Sequence, residues 1–244
     1  MTPRITFAVA HRVLIQLRRD RRTLAMLLVL PCIIMALLWW MFQDKPSLGF
    51  GTLAPALLAL IPFIIMFLVT SVTTLRERTS GTLERLLAMP MGKGDFLVGY
   101  AVAFGLVAAI QSALAVALSV WFLDLNVAGP VWLLLVVAVV DAVLGSALGL
   151  FVSAFARTEF QAVQFMPALV VPQILLCGLF VARDDLPPVL HVISDVLPLS
   201  YAVDAMRAVS ADTHPAVWGD LGLVAAFAVA GLVLGALTLQ RQSE

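Results

Sequence analysis

Six continuous apolar runs decide what this chain can fold into: approximately Leu24–Phe42, Thr52–Leu75, Phe96–Leu123, Val131–Phe155, Ala162–Ala182 and Leu221–Leu239. Each is about 18 residues or longer, enough for a helix to cross a hydrocarbon core of about 30 Å. The runs are continuous rather than alternating, which argues against a transmembrane β-barrel. In lipid the backbone must satisfy its own hydrogen bonds, so each run is predicted to be a helix. A mean hydropathy of +1.04 and a hydrophobic fraction of 62% fit no water-soluble domain.

Net charge is zero, so only its distribution informs. Twelve of the fifteen Lys and Arg fall on one side of the six-span topology. They are Arg4, Arg12, Arg18, Arg19, Arg21, Arg22, Arg76, Arg78, Arg85, Lys93, Arg157 and Arg241. Lys45, Arg183 and Arg207 fall on the other. The positive-inside bias predicts that both termini and the loop 76–95 are cytoplasmic. That loop is a charged island between apolar spans, carrying Arg76, Glu77, Arg78, Glu84, Arg85, Lys93 and Asp95. Within it Leu83, Leu86, Leu87 and Pro90 recur at three- and four-residue steps, a short amphipathic unit suited to a soluble partner.

Residues 1–23 are predicted to form an amphipathic interfacial helix, and 24–244 a single six-helix transmembrane domain. Ile5, Val9, Val13 and Leu17 recur every four residues, while Arg4, His11 and Arg18 mark another face suited to anionic headgroups. No cleavable signal peptide is expected. Between spans five and six, 183–220 holds two short segments. Pro187–Pro188 opens a helix with Val189, Ile193 and Val196 on its apolar side; Pro198 breaks it, and Ser200 is placed to cap a second helix carrying Tyr201, Ala205 and Val209. Each is too short to span, which predicts a re-entrant or interfacial hairpin on the outer face. The fold class is therefore an all-α integral membrane protein.

No catalytic constellation is evident. Around Gly92–Lys93 the first glycine of a phosphate-cradling loop is replaced by Leu87, His11, His191 and His214 lie outside the spans, and no H-E-x-x-H occurs. No metal site is expected. Cys32 and Cys177 differ in depth by about 10 Å at 1.5 Å per residue, so no disulfide within the chain is expected. Asp141 is the ionisable residue deep in a span, with Gln111 and Gln173 at similar depth. The three either line a polar translocation path or hold the helices together by hydrogen bonds. Gly145-x-x-x-Gly149 and Gly231-x-x-x-Gly235 permit close helix contact, and Pro31, Pro62, Pro167 and Pro172 predict kinks.

Two segments carry a resemblance. Glu77-Arg78-Thr79-Ser80-Gly81-Thr82-Leu83-Glu84-Arg85-Leu86-Leu87-Ala88-Met89-Pro90 and Leu197-Pro198-Leu199-Ser200-Tyr201-Ala202-Val203-Asp204-Ala205-Met206-Arg207, with the six-span topology, resemble the type-2 ABC exporter permeases, drug-resistance branch. The likeness covers nearly the whole chain. It implies that Glu77, Arg78, Gly81, Thr82, Leu83, Glu84, Leu86, Leu87 and Pro90 form or flank a coupling helix seated on a separate ATPase. It also implies two such ATPases holding the ATP and Mg, with none bound by this chain. A second permease chain, identical or paralogous, would pair through spans one and five. The outer-hairpin pattern falls on Pro198, Tyr201, Asp204 and Arg207. The expected setting is the bacterial inner membrane, with lipids and no nucleic acid as further partners, and an amphipathic drug- or lipid-like substrate exported. Alternatives are an immunity or sensor subunit using the same ATPase contact, a polysaccharide- or glycolipid-exporting permease, and a proton-coupled carrier using Asp141.

Overall fold

The computed structural model describes residues 3–42, 49–80 and 93–240. Its helices are α1 (Pro3–Arg19), α2 (Arg21–Phe42), α3 (Phe50–Thr79), α4 (Lys93–Trp121), α5 (Val131–Ser153), α6 (Glu159–Leu176), α7 (Pro188–Val196), α8 (Pro198–Ala211) and α9 (Trp218–Gln240). Six of them, α2 to α6 and α9, are long and apolar enough to cross a membrane. Among the described residues no strand occurs.

The core is built on α5, which lies between α3 and α9. Its glycines explain how close that packing is. A Cβ on Gly145 would lie 2.4 Å from the Phe63 carbonyl oxygen, and one on Gly149 the same distance from that of Phe67. These positions therefore admit only hydrogen, and the α3 backbone rests directly on α5. On another side, a Cβ on Gly231 of α9 would meet the Ala147 Cβ at 3.3 Å. Both small-residue motifs thus serve packing within the subunit. Helices α2, α3 and α6 run through Pro31, Pro55, Pro62, Pro167 and Pro172 without ending. Cys32 and Cys177 are free thiols.

α1, which packs on α4, buries Val9, Val13 and Leu17 of the stripe read from the sequence, with Ala10 beside them; Ile5 is only half-buried. At Gly99 of α4 the contact is so close that a Cβ would meet Val9 Cγ1 at 2.7 Å. α1 and α2 are separated by Asp20, whose carboxylate accepts from the Thr23 N–H at 3.1 Å and its hydroxyl at 2.6 Å, the bonds of an N-cap. The Thr23 hydroxyl holds that carboxyl below its ordinary range.

Two expectations need correction. The fifth span is helical over Glu159–Leu176, not over Ala162–Ala182. Thr158 caps it by accepting from Gln161 N, so its polar first turn is helical; past Cys177, Gly178 at φ 88° turns the chain while the sequence stays apolar. The second hairpin helix is not capped by Ser200: Leu197 takes the cap position and Pro198 opens the helix. The Ser200 hydroxyl instead meets Ser194 Oγ at 3.1 Å. α7 and α8 meet at 91°, a bent pair consistent with the expected hairpin.

Candidate functional site

Among the described residues, the hydrogen bonds between side chains gather at the two ends of the bundle. At the end bearing α1 they form the stem of the charged island. Glu77, on the last turn of α3, is buried and faces inward. Its Oε1 accepts from Arg12 Nη2 of α1 at 2.8 Å, and its other oxygen accepts from the Tyr100 hydroxyl of α4. With its side-chain amide turned, Gln16 donates to Glu77 Oε1 at 3.2 Å. One carboxylate therefore ties three helices together.

The flanking residues extend the same tie. Arg78 Nη1 donates to the Ser153 carbonyl at 2.7 Å, on the last turn of α5, where a cation suits the end of the helix dipole. Arg76 forms a two-pronged pair with Glu159 of α6 at 2.7 and 2.9 Å. Thr6 of α1 donates to Asp95 of α4 at 3.0 Å. Three consecutive residues, Arg76, Glu77 and Arg78, thus anchor the island to α6, to α1 and α4, and to α5. Tyr100 stands in a buried aromatic row, with ring centroids 4.3 Å from Phe96 and 5.9 Å from Phe104.

The resemblance assigns Glu77 and Arg78 to the coupling segment; in the structure both bond to other helices of the same chain. Gly81, Thr82, Leu83, Glu84, Leu86, Leu87 and Pro90 lie outside the described residues. Arg12, Gln16, Tyr100 and Glu159 were missed by sequence reading. A faint signal existed in Arg12 and Gln16, which sit one helical turn apart beside the apolar stripe of α1.

At the opposite end Arg183 organises the hairpin. It is paired with Asp204 of α8, donates to Asp195 Oδ1 of α7 at 2.5 Å and to Ser194 Oγ at 2.9 Å, and lies 5.1 Å from the Tyr201 ring centre. Burial opposes its charge, but Asp204 and Asp195 outweigh that and hold the guanidinium above its ordinary value. Ser194, fully buried, donates onward to the Leu176 carbonyl at 2.8 Å, so α6, α7 and α8 share one knot. The Tyr201 hydroxyl donates to the Asp195 carbonyl at 2.6 Å. Of the hairpin pattern, Pro198, Tyr201 and Asp204 serve this knot; Arg207 lies over Gly178, 3.3 Å from where a Cβ would sit.

The three intramembrane polar residues are not joined by any hydrogen bond among the described residues. Gln173 Oε1 accepts from Leu199 N of α8 at 3.4 Å and its Nε2 donates to the Leu169 carbonyl at 3.1 Å. It satisfies a free N–H in the first turn of α8 and so docks the hairpin. Gln111 and Asp141 are fully buried, and among the described residues neither has a hydrogen-bond partner. Asp141 shares the four-residue stripe of Gly145 and Gly149, which faces α3.

A family model for the ABC-2 type transporter matches residues 5–210. The chain is 29% identical over 153 residues to the probable multidrug ABC transporter permease YbhR of Escherichia coli K12, covering 63% of this chain and 42% of that one. It is 24% identical over 171 residues to the linearmycin resistance permease protein LnrN of Bacillus subtilis, covering 69% and 44%. It is 26% identical over 155 residues to ABC transporter G family member 20 of Dictyostelium discoideum, covering 64% and 21%. The chain thus matches less than half the length of these relatives. With six helices fit to span a membrane and a family match over most of its length, this multi-pass membrane protein belongs to the ABC-2 type transporter family.

Proposed function

We propose that the chain is the membrane-spanning permease of an ATP-driven exporter and moves an amphipathic drug- or lipid-like substrate outward. Power comes from two separate ATPase subunits, which hold the ATP and Mg and seat on Gly81–Pro90. The observation that most supports this is the three-way anchoring of Arg76, Glu77 and Arg78. A force applied to the loop beyond Ser80 reaches α1, α4, α5 and α6 through short polar contacts rather than through a slack linker. Glu77 and Arg78 act in this reading as positioning residues. Leu83, Leu86 and Leu87 supply the apolar anchor on the partner.

A second permease chain pairs across α2 and α6. These two spans bury the smallest share of their residues within the subunit, and Val29, Ile33, Leu37, Val163, Leu169 and Leu175 are left exposed. The assembly sits in the bacterial inner membrane with both termini cytoplasmic. Co-expression with the candidate ATPase tests the reading. ATP hydrolysis by the reconstituted complex rises with amphipathic compounds, and Leu86→Arg abolishes that rise while the bundle stays folded. Absence of a stable complex overturns it.

A further inference from the structure

The sharpest unassigned feature is a groove of about 390 Å³ where α1 meets α3 and α4, at the same end as the Arg12–Glu77 pair. Its walls are apolar: Val13, Leu17, Leu68, Val69, Val72 and Phe104. Its rim is polar, with Gln16, Asp20, Thr23, Arg76 and Glu77. The rim charges are mostly committed inside the protein. Glu77 is paired with Arg12, Arg76 with Glu159, and the Asp20 carboxylate caps α2.

What remains is the elbow between α1 and α2. Arg18, Arg19, Arg21 and Arg22 are exposed there, with no ion pair among the described residues, within three positions of the lining residues Leu17, Asp20 and Thr23. Along the chain, four exposed arginines flank one carboxylate at this elbow, next to residues that line the apolar slot. An occupant that matches this arrangement carries a hydrocarbon tail and an anionic head, and it arrives from the leaflet on which α1 lies.

We propose that this groove binds one anionic phospholipid of the inner leaflet, its acyl chain against Leu68, Val72 and Phe104 and its phosphate at the Arg18–Arg22 elbow. A lipid seated there lies directly against the Gln16–Glu77 side of the island's stem. It would stiffen the joint between α1 and α3. The inference goes beyond the transport reading and stands whatever the substrate.

The test uses the purified full chain in phosphatidylcholine nanodiscs doped with a phosphatidylglycerol whose acyl chain carries a diazirine. Crosslinks mapped by mass spectrometry should fall on the stretches around Leu17, Val72 and Phe104. Replacing Arg18, Arg19, Arg21 and Arg22 together by Gln should lower the yield about tenfold or more, since each basic residue near an anionic surface contributes appreciably. Val72→Trp should fill the slot and remove the crosslink while the protein elutes and melts as before; if that variant misfolds, Thr73→Trp takes its place. Unlabelled phosphatidylglycerol should compete, and inorganic phosphate should not. Equal labelling by the matching phosphatidylcholine probe, displacement by phosphate alone, or labelling that survives a folded slot-filling variant would each overturn the proposal.

Discussion

Arg12 and Glu77 lie 65 positions apart and meet at 2.8 Å, joining the leader helix to the end of the second span. The carboxylate is nearly buried while the arginine keeps 26% of its side chain in solvent. Losing one partner therefore costs about 2 kcal/mol, below the figure for a fully buried pair. Arg12→Gln and Glu77→Gln should each lower substrate-stimulated ATP hydrolysis of the assembled complex about tenfold. The double variant should be no worse than either single, giving a coupling energy of about 1–2 kcal/mol in a double-mutant cycle. Additive losses would mean that the two residues act separately.

Tyr100→Phe isolates the third member of that joint. It removes the phenolic donor to Glu77 and leaves the ring packed beside Phe96. The melting free energy should fall by about 1 kcal/mol, with a larger proportional loss of coupling than of stability.

The contact between α3 and α5 predicts a contrast among glycines. Gly145→Ala and Gly149→Ala each push a Cβ to 2.4 Å from a backbone oxygen that has no side-chain freedom to move. Each should destabilise the bundle by about 1–3 kcal/mol, read as lost folded yield or a lower melting temperature. Gly105→Ala meets only Val143 Cγ2 at 3.7 Å and should be neutral or mildly stabilising.

At the end of the bundle opposite α1, Arg183→Ala leaves Asp195 and Asp204 without their shared cation. The hairpin should loosen from α6 and become open to protease between 183 and 197, while the six spans stay folded. Ser194→Ala, which severs the bond to the Leu176 carbonyl, should act in the same direction but more weakly. An unchanged digestion pattern in both would contradict the knot.

Asp141 separates an ATP-driven exporter from a proton-coupled carrier. It is fully buried, and among the described residues neither of its oxygens has a hydrogen-bond partner. Asp141→Asn should keep ATP-driven flux within about twofold of wild type. Loss of flux in vesicles without ATP, caused by this one change, would favour the carrier.

Much of this architecture is legible in the chain. Lipid admits few backbone solutions, so six long apolar runs translate directly into six spanning helices, and the stripe Val9, Val13, Leu17 gives the buried face of α1. The glycine motifs announce close packing but not which helix they meet. Boundaries fail where periodicity is silent: the run through Ala182 stays apolar after the helix has ended at Leu176. The polar knots are the least legible part. Arg12, Tyr100 and Glu159 lie 65, 23 and 83 positions from their partners, and no local pattern encodes such pairings. The sequence counts Arg183 only among three cations on one side of the topology, yet it is the centre of the hairpin. Glu77 and Arg78 sit in the recognisable motif, but nothing in the motif announces their bonds to α1, α4 and α5.

In the proposed reading, the loop beyond Ser80 seats an external ATPase and its stem carries force into the bundle. The most direct measurement places benzoylphenylalanine at position 86 in the co-expressed complex, with position 189 on the opposite face as control. Illumination should yield an adduct between position 86 and the ATPase subunit, and none from position 189. Absence of that adduct in an assembled, hydrolysing complex, or labelling of a cysteine at position 86 by an impermeant reagent from outside intact cells, would contradict the account.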